Sequence, residues 1–157
     1  MKVTAFCDMT VLCVGDVMLD RFVSGIVNRI SPESPVPVLF ATGQQNIPGG
    51  AANVSRNIAA LGGTCILVGA VGDDDAGREL TLRLSDQSSI RPELVMTPGR
   101  PTAEKTRFVT HGQHMLRVDR EDVKPLSAEA QDAIIAKVGE RIGQCQALIL
   151  SDSPRAC

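Results

Sequence analysis

The sequence predicts an α/β fold, a mostly parallel sheet flanked by helices. Three observations carry that expectation. Short apolar runs recur without alternation, as strands buried on both faces do: "VLCVG" at 11–15, "CILVGAV" at 65–71 and "ALILS" at 147–151. Stretches with helical spacing lie between them. Strands alternating with helices favour parallel pairing with both sheet faces covered.

The first helix follows from Val54, Ile58 and Leu61, one stripe at i, i+4 and i+7, stopped by Gly62 and Gly63. The second follows from Ala76, Leu80 and Leu84, with the acidic run Asp73–Asp75 at its electropositive start. The third follows from Ile134, Val138 and Ile142, with Ser127 as N-cap and Glu129 in the first turn. Two segments break the rhythm. Residues 21–48 carry four prolines and are too irregular for a simple crossover. Residues 102–119 alternate in type around His111–Gly112, which reads as a hairpin. Both read as strand insertions standing off the main sheet.

Composition narrows the function. The chain has 157 residues, 43% hydrophobic and 22% charged, enough for one domain with a real core. A net charge of −2 and an aromatic content of 3% argue against a nucleic-acid partner, because neither a basic footprint nor a base-stacking platform is present. No apolar run approaches membrane-spanning length, so no membrane partner is expected. The start "MKVTAFCDMTVLCVGD" makes a poor signal peptide. Five cysteines, odd in number and without C-x-x-C spacing, fit free thiols and a cytoplasmic location. His111 and His114 have no cysteine pair nearby, so no metal site is expected.

The stretch "PGGAANVSRNIAALGG", 48–63, sets permissive backbone directly against a helix. Glycine removes the side chain that would block approach, and a helix start offers unpaired N–H groups. Asn53 adds a donor and an acceptor. The strand at 11–15 runs into "GDVMLD", which sets Asp16 or Asp20 at the strand rim, where parallel sheets bind ligands. A carboxylate, an amide and bare N–H groups suit a sugar's hydroxyls. The same residues also suit a tight turn with a packing glycine and a capping asparagine. Neither a P-loop nor a G-x-G-x-x-G follows the first strand.

"GGAANVSRNIAALGGTCILVGAVG" resembles the N-terminal signature of the ribokinase-like, PfkB-type carbohydrate kinases, with Gly49, Gly50, Ala51, Asn53, Ser55, Gly62 and Gly72 on its positions. "GDVMLDRF", "RISPESPVPV" and "GDDDAGREL" also look like the bacterial D-glycero-β-D-manno-heptose-7-phosphate kinases, which make the ADP-heptose precursor of lipopolysaccharide core. The likeness runs from about Val11 to Asp152. It implies a ribokinase-like fold with a small β-lid formed by 21–48 and 102–119, and a homodimer through that lid. It implies sugar binding by Asp20, Gly49, Gly50 and Asn53. A sugar phosphate also needs cations. Lys105 and Arg107 share one strand face and Arg117 returns beside them, so these are the candidates for its phosphate. They equally suit a solvated face, with Glu104, Asp119 and Glu121 as surface partners. Arg29 is expected to order the lid.

The family's second signature, a glycine-rich anion hole ending in the catalytic aspartate, has no match in this sequence. The resemblance implies ATP and Mg²⁺, with their binding residues and the catalytic residues outside this chain. After Asp152, "SPRAC" departs from the family's pattern, which suggests a frameshift or early stop and an N-terminal part of one kinase domain, incomplete at the C-terminus. The expected function is therefore the sugar-binding half of an ATP-dependent carbohydrate kinase acting on heptose 7-phosphate. The alternatives are a truncated, non-catalytic remnant that at most binds sugar or dimerises, and an unrelated α/β binding domain. A sheet ending at Leu150 also predicts weak stability, since each unburied apolar side chain forfeits about 1.5–3 kcal/mol.

Overall fold

The computed structural model of the protein describes residues 7–152. The N-terminal Lys2, Cys157 and the departure after Asp152 lie outside them. The chain runs β1 (Thr10–Gly15), β2 (Val17–Ile30), β3 (Pro37–Gly50), α1 (Ala51–Ala60), β4 (Thr64–Gly72), α2 (Asp75–Ser85), β5 (Ile90–Thr97), β6 (Ala103–Thr110), β7 (Gln113–Arg120), α3 (Ala128–Arg141), a 3₁₀ turn (Ile142–Gln144) and β8 (Ala147–Ser151).

The apolar runs form a parallel sheet in the order β5-β4-β1-β8. Strand alternation divides its side chains between two cores. Val11, Cys13, Cys65 and Leu67 pack under α1 and α2, through Ala52, Ile58, Leu80 and Leu84. Leu12, Ile66 and Val68 point the other way, against Ile134 and Val138 of α3. Both faces of β1 and β4 are covered, which is why these two strands carry unbroken apolar sequence. At the edge, Leu148 and Leu150 of β8 are exposed, as expected of a sheet that ends there.

Three details differ from the expectation. Leu61 falls just past α1 and is exposed, because the chain turns there: Gly63 N–H donates to Ile58 O at 3.1 Å with Gly62 at φ +89°. Ile142 sits in the 3₁₀ turn and is exposed rather than extending the stripe of α3. Strand β5, "IRPELVMT", carries no clear apolar signal. It is an edge strand paired only with β4, so Pro92 and the charges at Arg91 and Glu93 are tolerated. Glu93 holds α3 to that edge through Arg141 at 2.6 Å and Lys137 at 3.7 Å.

The two off-rhythm segments join in one second sheet, ordered β3-β2-β6-β7. β2 pairs antiparallel with β3 and parallel with β6, and β6 and β7 form the expected hairpin. His111 (φ +48°) and Gly112 (φ +77°) both take left-handed backbone at its turn. The sheet starts earlier than position 21: Val17 already pairs with Gly50.

Arg21 fastens this sheet to the first layer. It alternates with Asp20 and so points to the opposite face. Its guanidinium reaches Glu104 at 2.6 Å on β6 and Glu79 at 3.2 Å on α2, and Glu79 also accepts from Asn46 at 2.7 Å and pairs with Arg83 at 2.8 Å. Burial would raise the Glu79 pKa, but hydrogen bonds from Asn46 and Arg83 and the charges of Arg21 and Arg83 outweigh it and hold the carboxyl below its usual range. Arg29, expected to order the lid, is exposed and makes no side-chain bond among the described residues. Arg21 is the arginine that ties this sheet to α2. Arg21→Met should cost about 1–2 kcal/mol, above a lone surface pair because two half-buried carboxylates lose a partner. The loss should shrink at high salt; urea melts at two ionic strengths measure it.

Candidate substrate site

A single residue, Asp16, joins β1 to β2. Its carbonyl accepts the Ala51 N–H at 2.8 Å, and its own N–H donates to Ser151 O at 3.1 Å. The end of β3 and the start of α1 are thereby drawn over the rim of the parallel sheet. Gly50 makes the corner at φ +60° and ψ −133°, a conformation open to glycine and closed to residues with a Cβ. α1 begins with no side-chain cap and no acidic residue in its first turn.

Gly49 lies opposite Met18 in the ladder. A Cβ there would overlap Asp20 Oδ2 and come within 2.9 Å of Met18 Cγ. The Asp20 carboxylate is therefore seated against the Gly49 backbone, joining the expected carboxylate to the expected glycine corner. Asp20 is not on a loop at the rim. It stands one turn of the pleat into β2, in a sheet.

The register then assembles one polar face. Asp20 lies beside Lys105, and Phe22 beside Arg107, on the parallel β2–β6 ladder. Lys105 lies opposite Asp119, and Arg107 opposite Arg117, on the antiparallel β6–β7 ladder. Three cations and two carboxylates share the face. Arg107 pairs with Asp20 and lies over the Phe22 ring at 5.2 Å from its centroid. The edge of that ring packs with His114, centroids 6.5 Å apart. Arg117 pairs with Asp119 at 3.0 Å and is half exposed. Lys105 is half-buried and makes no ion pair among the described residues. Of the expected surface partners, Asp119 does pair with a cation of this face, whereas Glu104 turns to Arg21 behind it.

Lys105 and Arg117 line a cavity of about 310 Å³ between this face and the ends of β1, β4 and β5, together with Asp16, Thr97, Arg100 and Asp119. Arg100 shapes its wall by donating to the carbonyls of Asp122 at 2.7 Å and Lys124 at 2.8 Å. Asp20, Gly49 and Arg107 stand beside the cavity on the same sheet face. Asn53 is placed elsewhere. It is exposed, and it lines a hollow with Arg56, Asn57, Asp86 and Ser88. Ala51, Ala52, Ser55 and Ile58 occupy the inward face of α1, so the helical turn carries Asn53 to the outer flank.

A second polar cluster, not anticipated beyond its acidic composition, fixes how the β6–β7 hairpin leaves the parallel sheet. Asp74 caps α2 by accepting Gly77 N–H at 2.9 Å. It also accepts Thr102 Oγ1–H at 2.6 Å and Thr102 N–H at 3.0 Å, while Thr102 Oγ1 accepts Gly72 N–H at 2.9 Å. Burial pushes the Asp74 carboxyl up, but these bonds, with the charge of Arg120, outweigh it and hold the group below its usual value. Thr102 is 2% exposed, so these donors have no water to turn to. The four cysteines among the described residues are free thiols, and Cys13 and Cys65 are buried beneath α1.

The geometry is matched by kinship. The protein is 50% identical over 142 residues to the bifunctional protein HldE of Hyphomonas neptunium, covering 90% of this chain and 29% of that protein. It is 49% identical over 145 residues to the bifunctional protein HldE of Bradyrhizobium diazoefficiens, covering 91% and 29%. The chain thus spans less than a third of the length of these curated relatives. In fold it is similar to the phosphofructokinase-2 from Escherichia coli solved in complex with fructose-6-phosphate, with a TM-score of 0.67 at 22% identity over 91% of this chain and 45% of that one. The family profile described as pfkB family carbohydrate kinase matches residues 9–153, and the chain, with its ribokinase-like α/β fold, belongs to that family.

Proposed function

We propose that this chain is the sugar-binding part of a carbohydrate kinase whose substrate is a heptose 7-phosphate, on the route to ADP-heptose. The observation that carries the reading is the Asp20 carboxylate seated against bare Gly49, on the same sheet face as Lys105, which has no ion-pair partner among the described residues. Asp20 accepts from sugar hydroxyls. Gly49 and Gly50 let the ring come against the backbone. Lys105, Arg107 and Arg117 meet the phosphate already on the sugar, where Arg adds a planar fork and Lys a point charge. The second sheet acts as the lid over the sugar. Asn53 is exposed on the outer flank of α1 and faces another hollow. The likeness of "GDVMLDRF" and "GDDDAGREL" to heptose kinases, with half identity to the HldE proteins, supports the seven-carbon sugar.

ATP is the phosphoryl donor the family implies, with Mg²⁺. Among the described residues no group of three or more His, Cys, Asp or Glu side chains converges. No helix among the described residues is long and apolar enough to cross a membrane, in keeping with work in the cytoplasm. A second reading, self-association through the lid, is favoured by the exposed Ile26, Ile30 and Phe40 on the outer part of β2 and β3.

Titration calorimetry with D-glycero-D-manno-heptose 7-phosphate tests the reading. The chain should bind it, Asp20→Ala should abolish binding, and Lys105→Ala should weaken it about tenfold or more, the scale of a lost charge-assisted bond. Mixing the chain with the C-terminal part of a family member should then yield a phosphorylated heptose phosphate. No heat of binding at millimolar sugar would end the reading.

A further inference from the structure

Asp20 and Arg107 have opposite tasks in the proposed cradle, one for hydroxyls and one for phosphate, yet in the free chain they hold each other. We propose that this pair is an exchangeable latch. A phosphate on the sugar draws Arg107 off Asp20, and the released carboxylate then accepts the sugar's hydroxyls. The inference rests on the sugar-phosphate reading above and adds how the site separates a phosphorylated sugar from a free one.

The structure supplies each part. The two side chains are 19% and 20% exposed, so an entering ligand reaches the pair. Lys105 stands in register with Asp20, has no carboxylate partner among the described residues, and lines the neighbouring cavity. A phosphate drawn to Lys105 therefore arrives beside Arg107. It carries more charge than a carboxylate and offers the guanidinium more acceptor oxygens. The Phe22 ring lies under the guanidinium and supports it as it changes partner. Arg117, across the ladder from Arg107, marks where the phosphate end of the ligand lies. A free sugar brings no such competitor and meets a carboxylate already engaged. By linkage the effect is reciprocal: each of the two ligand groups eases binding of the other.

Titration calorimetry on the full chain uses three probes: D-glycero-D-manno-heptose 7-phosphate, the same heptose without phosphate, and inorganic phosphate. Arg107→Met should bind the free heptose about three- to tenfold more tightly than wild type, while the heptose phosphate weakens about tenfold or more. Asp20→Asn should bind inorganic phosphate about three- to tenfold more tightly, and that gain should vanish in the R107M background. Arg107→Lys, which keeps the charge without the fork, should fall between wild type and R107M. If R107M weakens the free heptose, or the D20N gain persists without Arg107, the latch is refuted: Arg107 then only positions Asp20, or Asp20 acts as plain charge. A wild-type chain that binds neither the heptose phosphate nor inorganic phosphate refutes the sugar-phosphate reading itself, which is a different result.

Discussion

Asp74→Ala is expected to lower stability by about 3 kcal/mol, a large part of the roughly 5–15 kcal/mol that typically holds a domain folded. Loss of an N-cap alone costs about 1 kcal/mol. Here the carboxylate also takes both donors of Thr102, which is 2% exposed, and a buried donor left unsatisfied costs about 1–3 kcal/mol more. The effect has a pH signature. The folded-state pKa of Asp74 is depressed, so its contribution is fully present above the unfolded carboxyl value. It is lost as pH falls below about 4, through the folded value. Asp74→Asn should therefore be less stable than wild type at pH 7, with the gap closing as the buffer is taken below about pH 4. Denaturant melts at a series of pH values read both outcomes. A gap that widens on acidification would count against the sign of this linkage.

Gly49→Ala is expected to damage the site with a single methyl. The new Cβ would run into Asp20 Oδ2 and press on Met18, which is buried at 7% exposure. Met18 has little room to give, so the carboxylate must shift, which disturbs its pairing with Arg107. Overpacking of this kind costs about 1–3 kcal/mol. Heptose phosphate affinity should fall at least tenfold, since the hydroxyl acceptor leaves its place. Thermal melting together with calorimetry separates the two losses. Gly43→Ala, whose Cβ would meet nothing within 4 Å, should change neither and serves as the control.

How far the sequence could be read depended on what each residue answers to. The strands β1 and β4 were legible because burial on both faces forces unbroken apolar runs. β8 was legible from its apolar run alone, although Leu148 and Leu150 are exposed at the sheet edge. The β6–β7 hairpin was legible because His111–Gly112 answers to local turn chemistry. β5 was not, because an edge strand is free to carry Pro92 and charge. In the site, Asp20 and the Gly49–Gly50 corner were legible from motif and position. Their mutual distance was set by the β2–β3 register, which the proline-rich segment between them obscures. The outward placement of Asn53 was not legible, because a motif fixes its place in sequence and not the side of the helix it ends on. The partners of the cations were hidden for a related reason. Asp20 for Arg107 and Glu104 for Arg21 come from other strands, and only the pairing of β2 with β6 decides them. Period-two alternation did contain the clue that Arg21 points away from Asp20.

The long ribbon of β2 and β3 is built in two unequal parts. Its inner part is flanked by β6 as far as Gly25, while beyond two bulges, at Ser24/Gly25 and Val27/Arg29, only two strands continue to the Ser31–Val36 turn. A two-stranded hairpin in water has little rigidity of its own, so bending concentrates past the bulges. In the proposed site, the tip would then move across the sugar's entrance while Asp20 and Gly49, in the inner part, keep their places, so that covering the sugar would require no rearrangement of the groups proposed to grip it.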